Sequence, residues 1–194
     1  MVKRIAVWFA VLLCIILVIG TASCSDSGAK AKQTVRDYWS AMQKGDYATA
    51  KTYLTKTLST STLDEVTNSN WKSRALLFDE IRKSTSIEIE DSTVSGDNAK
   101  VNVKATMLDL DIQDFIHNAI LANLSFTPGP NDVLALADGD YIEAFKSQLP
   151  KIKDTPKVTK EVELSLVLEG GNWKIKANML FEDVINSINK AMGI

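Results

Sequence analysis

The chain has 194 residues, 45% hydrophobic and 24% charged, with a formal net charge of −2. That is enough for one ordinary domain with a sizeable core, and the charge balance excludes a basic nucleic-acid-binding surface. Two cysteines, Cys14 and Cys24, and one histidine, His117, exclude a disulfide scaffold and a Cys/His zinc centre.

Lys3 and Arg4 precede an apolar run from Ile5 to Ile19; Gly20 breaks the run, and Thr21-Ala22-Ser23-Cys24 follows. A positive start, an apolar centre and small residues at a cut site are the marks of an export signal. As a helix the run would reach about 22 Å, short of the ~30 Å core of a bilayer. Ala22-Ser23-Cys24 resembles the lipid-attachment box of bacterial lipoproteins. That resemblance implies a signal peptide over 1–23 and a diacylglycerol thioether on Cys24, with palmitate among the usual acyl chains. It also implies anchoring on the extracytoplasmic face of the cell membrane or outer membrane. An uncleaved anchor, or an ordinary signal cut elsewhere, are the alternatives. Removal of 1–23 leaves 171 residues, and loss of Lys3 and Arg4 takes the formal charge from −2 to −4. With Cys14 discarded and Cys24 lipidated, the domain keeps no thiol, and its core alone must hold the fold.

Residues 24–32 are small and polar and read as a flexible tether; the domain runs over 33–194. Val35, Tyr38, Trp39 and Met42 mark the inner face of a first helix. Lys44-Gly45 stops it, and Asp46 can cap a second helix through Tyr47, Ala50, Tyr53 and Leu54. Thr62 and Glu65 form a capping-box pattern for a third helix reaching Arg82. The apolar period then falls to two. Ile87 and Ile89, a Ser95–Asn98 turn, and Val101, Val103, Ala105 and Met107 predict a hairpin with one wet face. Helical spacing returns from Ile112 to Leu124, with Asp111 as N-cap. Pro128-Gly129-Pro130 breaks it, and Tyr141, Ala144, Phe145 and Leu149 suggest a short helix ending before Pro150. A second hairpin follows, with Val162, Leu164, Leu166 and Leu168 opposite Trp173, Ile175 and Ala177 across Gly170-Gly171-Asn172. Asn178 can cap a last helix with Phe181, Val184, Ile185, Ile188 and Met192 inward. Hairpins covered on one face by helices predict an α+β fold, with residues 109–156 as a helical insertion and a C-terminal helix.

The run Val35-Arg36-Asp37-Tyr38-Trp39-Ser40-Ala41-Met42, then Lys44-Gly45-Asp46-Tyr47, and the strand ending Gly171-Asn172-Trp173-Lys174-Ile175 are similar to the NTF2-like (cystatin-like) superfamily. More narrowly they resemble its small bacterial lipoproteins, over residues ~30–108 and ~157–177. The resemblance implies a curved antiparallel sheet of two hairpins wrapped around the N-terminal helices as a cone, often open at one end. The insertion and the terminal helix depart from that pattern.

Little chemistry is spelled out. His117 lies beside an apolar helix face and reads as a surface residue; no Gly-x-Ser-x-Gly accompanies it. Asp109, Asp111 and Asp114 lack the glycine and closing glutamate of a calcium loop, and helix capping accounts for Asp111. Some NTF2-like enzymes place an aspartate or a Tyr–Asp pair inside the cone. The strand positions predicted to face inward, from Val101 to Met107 and Leu164 to Leu168, are apolar. No phosphate loop, metal spacing or dinucleotide fingerprint is present, so neither metal nor cofactor is expected. The expectation is a non-catalytic, lipid-anchored envelope protein that binds a partner protein or an apolar ligand. A superfamily enzyme with an unrecognised buried site, or a purely structural envelope component, are the competing readings. Phe115, Phe126, Leu134 and Leu136 in the insertion are the candidate contact residues, because two short helices cannot bury so much apolar side chain against each other.

Overall fold

The computed structural model describes residues 26–58, 63–64, 72–123, 137–177 and 179–192. The first helix, α1, occupies 26–44. It is followed by α2 (Tyr47–Thr52), a single turn α3 (Lys56–Leu58) and α4 (Lys72–Ser84). Strands β1 (Ser86–Ser95) and β2 (Asn98–Leu108) come next, then α5 (Ile112–Asn123) and α6 (Asp138–Ile152). Strands β3 (Lys157–Glu169) and β4 (Asn172–Ala177) lead into α7 (Met179–Met192). The four strands form one antiparallel sheet in the order β1-β2-β3-β4. The fold is therefore α+β, and the two expected hairpins join through β2 and β3.

Period-two burial gives the sheet its two faces. Val101, Val103, Ala105, Leu164, Leu166, Trp173 and Ile175 are buried on the helix side. Lys100, Glu161 and Glu163 are exposed on the other, where Lys100 reaches Glu163 at 2.8 Å. Beta-bulges between Ile89 and Ser92 and between Ser165 and Leu166 interrupt the register of the outer pairs.

The helix 26–44 begins earlier than its composition suggests: residues 26–32, small and polar like a tether, are helical. The smallness serves packing. Gly28 and Ala31 are buried, and a Cβ on Gly28 would come within 3.0 Å of Ser92 Oγ. Ser92 donates its hydroxyl to Gly28 O at 3.2 Å, so glycine lets the helix backbone meet β1 directly. At the far end, Gly45 takes φ +70° to stop the helix. Arg82, 3% exposed, donates through Nη1 to the last carbonyls, Met42 O and Gln43 O (2.9 Å for the latter). Gln43 returns a bond to Thr85 O at 2.9 Å. The orphan acceptors of α1 are thus met by the end of α4.

Other boundaries moved for identifiable reasons. Leu54 leaves the second helix for a parallel bridge to Ile175, with Ile175 N–H donating to Tyr53 O at 2.8 Å and Thr55 N–H to Ile175 O at 2.9 Å. Helix α6 runs through Pro150 instead of ending before it, which puts Ile152, 1% exposed, into the core. The insertion leaves and re-enters at adjacent rungs, since Asp109 N–H donates to Pro156 O at 2.8 Å. Its helices pack on each other, α6 also on α4, and α5 also on α7. Thr62, Glu65 and Asn178, the other expected caps, lie outside the described residues.

Candidate functional site

Capping comes first, because it removes several candidates from chemistry. Asp46 accepts from Thr49 N–H at 3.0 Å, which holds its carboxyl below the usual carboxylate range. Asp111 accepts from the N–H groups of Gln113 and Asp114 at 2.9 and 3.0 Å, as its N-cap position predicts. Asp138, at the start of α6, caps a remote helix. Its two oxygens accept from Lys72 N–H and Ser73 N–H, both at 3.0 Å, and from the Ser73 hydroxyl. One carboxylate of the insertion therefore seats the N-terminus of α4, where the helix dipole favours it. Asp140 accepts from Ala137 N–H at 3.0 Å. His117 is exposed. Among the described residues no three His, Cys, Asp or Glu side chains are arranged to hold a metal ion.

One titratable pair was not legible in the sequence. The Tyr47 hydroxyl donates to Asp79 Oδ1, which also accepts from Arg82 Nε at 3.2 Å. The Arg82 guanidinium carbon sits 5.8 Å from the Tyr47 ring centroid. Burial first, then the bond to Asp79, pushes the Tyr47 phenol well above its ordinary value of 10.0. Tyrosine, aspartate and arginine here share one function with the α1 carboxyl end described above: they tie α1, α2 and α4 together.

A cavity of binding dimensions among the described residues lies elsewhere. It is a groove of about 460 Å³ between β3, the end of β2 and α7, within the ~300–1,000 Å³ range of small-molecule sites. Its apolar wall includes Ile81, Met107, Leu110, Val162 and Val184. Asp109, Glu161, Glu163 and Asp183 stand around it, against one cation, Lys160. Lys160 continues the alternate row of Leu164 and Leu166, a titratable residue just beyond the positions expected to be apolar.

The groove exists because β4 is short. It pairs with β3 only from Ser165 to Glu169, whereas β2 pairs with β3 down to Lys157. Over Lys157–Leu164 no described strand lies on the other side of β3, and α7 runs past at a distance that leaves the groove. Leu168 N–H donates to Asp97 O at 2.8 Å, on the β2 side. Even-numbered residues of β3 therefore face β2, and the N–H and C=O groups of Thr159, Glu161 and Glu163 face the groove.

Of the expected contact residues, Phe115 is half-buried, with its ring 6.0 Å from that of Phe145, and it does not line the groove. Phe126, Leu134, Leu136 and Cys24, the residue expected to carry a lipid, lie outside the described residues. Ile116, Ile120 and Phe145 are buried. Leu121, 36% exposed, is the large apolar side chain left open among the described ones, so the described helices of the insertion act as a cover. Its first residues, Asp109, Leu110 and Ile112, nevertheless form one wall of the groove. Among the described residues no helix is long and apolar enough to cross a membrane. No family model, no curated protein and no solved structure matches this chain.

Proposed function

We propose that this chain is a lipid-anchored, non-catalytic binding protein of the bacterial envelope, built on an NTF2-like domain, with the β3–α7 groove as its site. Cys24 carries the lipid and holds the domain at the extracytoplasmic face. The observation that carries the binding reading is an apolar groove rimmed by carboxylates beside a strand edge that no described strand pairs. The sheet order and the long first helix on its apolar face support the NTF2-like assignment. The enzyme reading needs an acid–base pair facing a cavity. Tyr47 and Asp79 form such a pair, but Arg82 neutralises the carboxylate and neither residue lines the groove.

The test is a photo-cross-linking side chain placed at Leu110 in the groove and, separately, at His117 on the exposed face of α5, in living cells. The reading predicts discrete adducts from Leu110 and none from His117. Cys24→Ala should abolish both the lipid, by mass spectrometry of the membrane fraction, and the adducts. Equal labelling from the two positions would remove the groove as the site, and an unmodified mature N-terminus at another residue would remove the anchor.

A further inference from the structure

The groove has one wall that no small apolar ligand would use. Over Thr159–Glu163 the outward edge of β3 offers a row of backbone donors and acceptors with no described partner; Thr159, Lys160, Glu161 and Glu163 are exposed and Val162 is half-buried. Bare edges of this kind accept another strand. Natural edges are often blunted by a charge, and Lys160 does this in part by placing an ammonium in the inner row.

We propose that the site binds an extended segment of a partner protein as an added antiparallel strand, and that the segment alternates basic and apolar residues. This rests on the groove being the binding site and names what enters it. The alternation follows from the pleat. A side chain opposite Glu161 or Glu163 shares their solvent face, where direct cross-strand neighbours interact most strongly and opposite charges are favoured. Glu163 is met at one side by Lys100, and Glu161 lies opposite Lys104, which is already bound to Glu90. Lysine or arginine on the added strand would extend this acid–base ladder by one strand. Side chains opposite Lys160 and Val162 point the other way, into the groove between Leu110 and Val184, which favours apolar residues there. A second copy of this chain fits poorly. A two-fold centred on Lys160 or on Glu161 sets like charges opposite each other.

The pairing also assigns the amides. In an antiparallel ladder the residues opposite Glu161 and Glu163 exchange both hydrogen bonds with them. In a basic–apolar peptide these are the basic residues. The probe is a synthetic peptide of about eight residues alternating valine and lysine, titrated into the full chain in nonionic detergent. Binding should slow amide exchange at Thr159, Glu161 and Glu163. N-methylation of the lysine amides should weaken it at least about tenfold, through loss of ladder bonds, while N-methylation of the valine amides leaves it intact. The valine–glutamate counterpart should bind about tenfold more weakly or not at all. Glu161→Pro removes an outward N–H that the β2 ladder does not use, a position where an edge strand tolerates proline; it should abolish peptide binding at an unchanged melting temperature. If Glu161→Pro does not fold, the two methylated peptides still decide the matter. Equal binding of those two peptides, equal binding of the glutamate peptide, or no binding overturns strand addition. So does protection of the same amides that grows with protein concentration alone. Adducts from the Leu110 cross-linker in any of those cases keep the groove reading and sink only this inference; their absence sinks both.

Discussion

Single residues in this protein act mainly as connectors between helices. Arg82 is the fullest case: buried, it serves the end of α1, the Asp79 carboxylate and the Tyr47 ring at once. A buried guanidinium needs that many partners. Tyr47 depends on the same cluster and gives it a pH signature. Its phenol ionises at higher pH in the folded chain than in the unfolded one. A raised folded value means that the associated stability is fully present below the ordinary value of 10.0 and is lost as pH rises above it. Urea unfolding at pH 8 and pH 11 should show wild type losing more stability across that interval than Tyr47→Phe, which has no phenol to ionise. Parallel losses in the two proteins would place Tyr47 outside the cluster. This pair joins residues 32 apart in sequence; Tyr47 sits in the Lys44–Tyr47 turn motif but Asp79 lies in no motif, and nothing local links the two, which is why the chain read alone gave no sign of the pair.

At the scale of elements, periodicity carried far. Alternation placed β2, β3 and β4 in the right phase, so Trp173 and Ile175 were expected to face the helices and are 6% and 0% exposed. Trp173→Ala should cost about 3–5 kcal/mol, a large share of the ~5–15 kcal/mol typical of a domain; urea denaturation would measure it, and an unchanged midpoint would mean the side chain contributes no packing. Periodicity failed where tertiary contact overrides local preference. Residues 26–32 look like a linker, yet their small side chains are what close approach to β1 demands. Asp138 stands in the first turn of α6, yet it caps α4, 65 residues away in sequence for Ser73. Pro150 looks like a stop, yet burial of Ile152 carries the helix past it. In the first two cases the residue type was read correctly as small or capping and the partner was non-local; in the third, the expected break at Pro150 did not occur.

For the whole molecule, the α+β class and the two helices between the hairpins were legible, because the turn clusters and the change of period are local signals. The groove was not. It depends on the unequal lengths of β3 and β4, and a strand's length says nothing about where its neighbour stops. The insertion was expected to bind through its own surplus of apolar residues. Its described helices bury theirs against each other, α4 and α7, and among its described residues only the first reach the groove.

The central claim is that β3 presents an open edge to that groove. Amide hydrogen exchange of the free chain along β3 tests it without any ligand. The account predicts alternation: slow exchange at Val158, Lys160 and Val162, whose N–H groups bond β2, and fast exchange at Thr159, Glu161 and Glu163. Uniform protection along Val158–Glu163 would mean that the edge is already paired, and would contradict it.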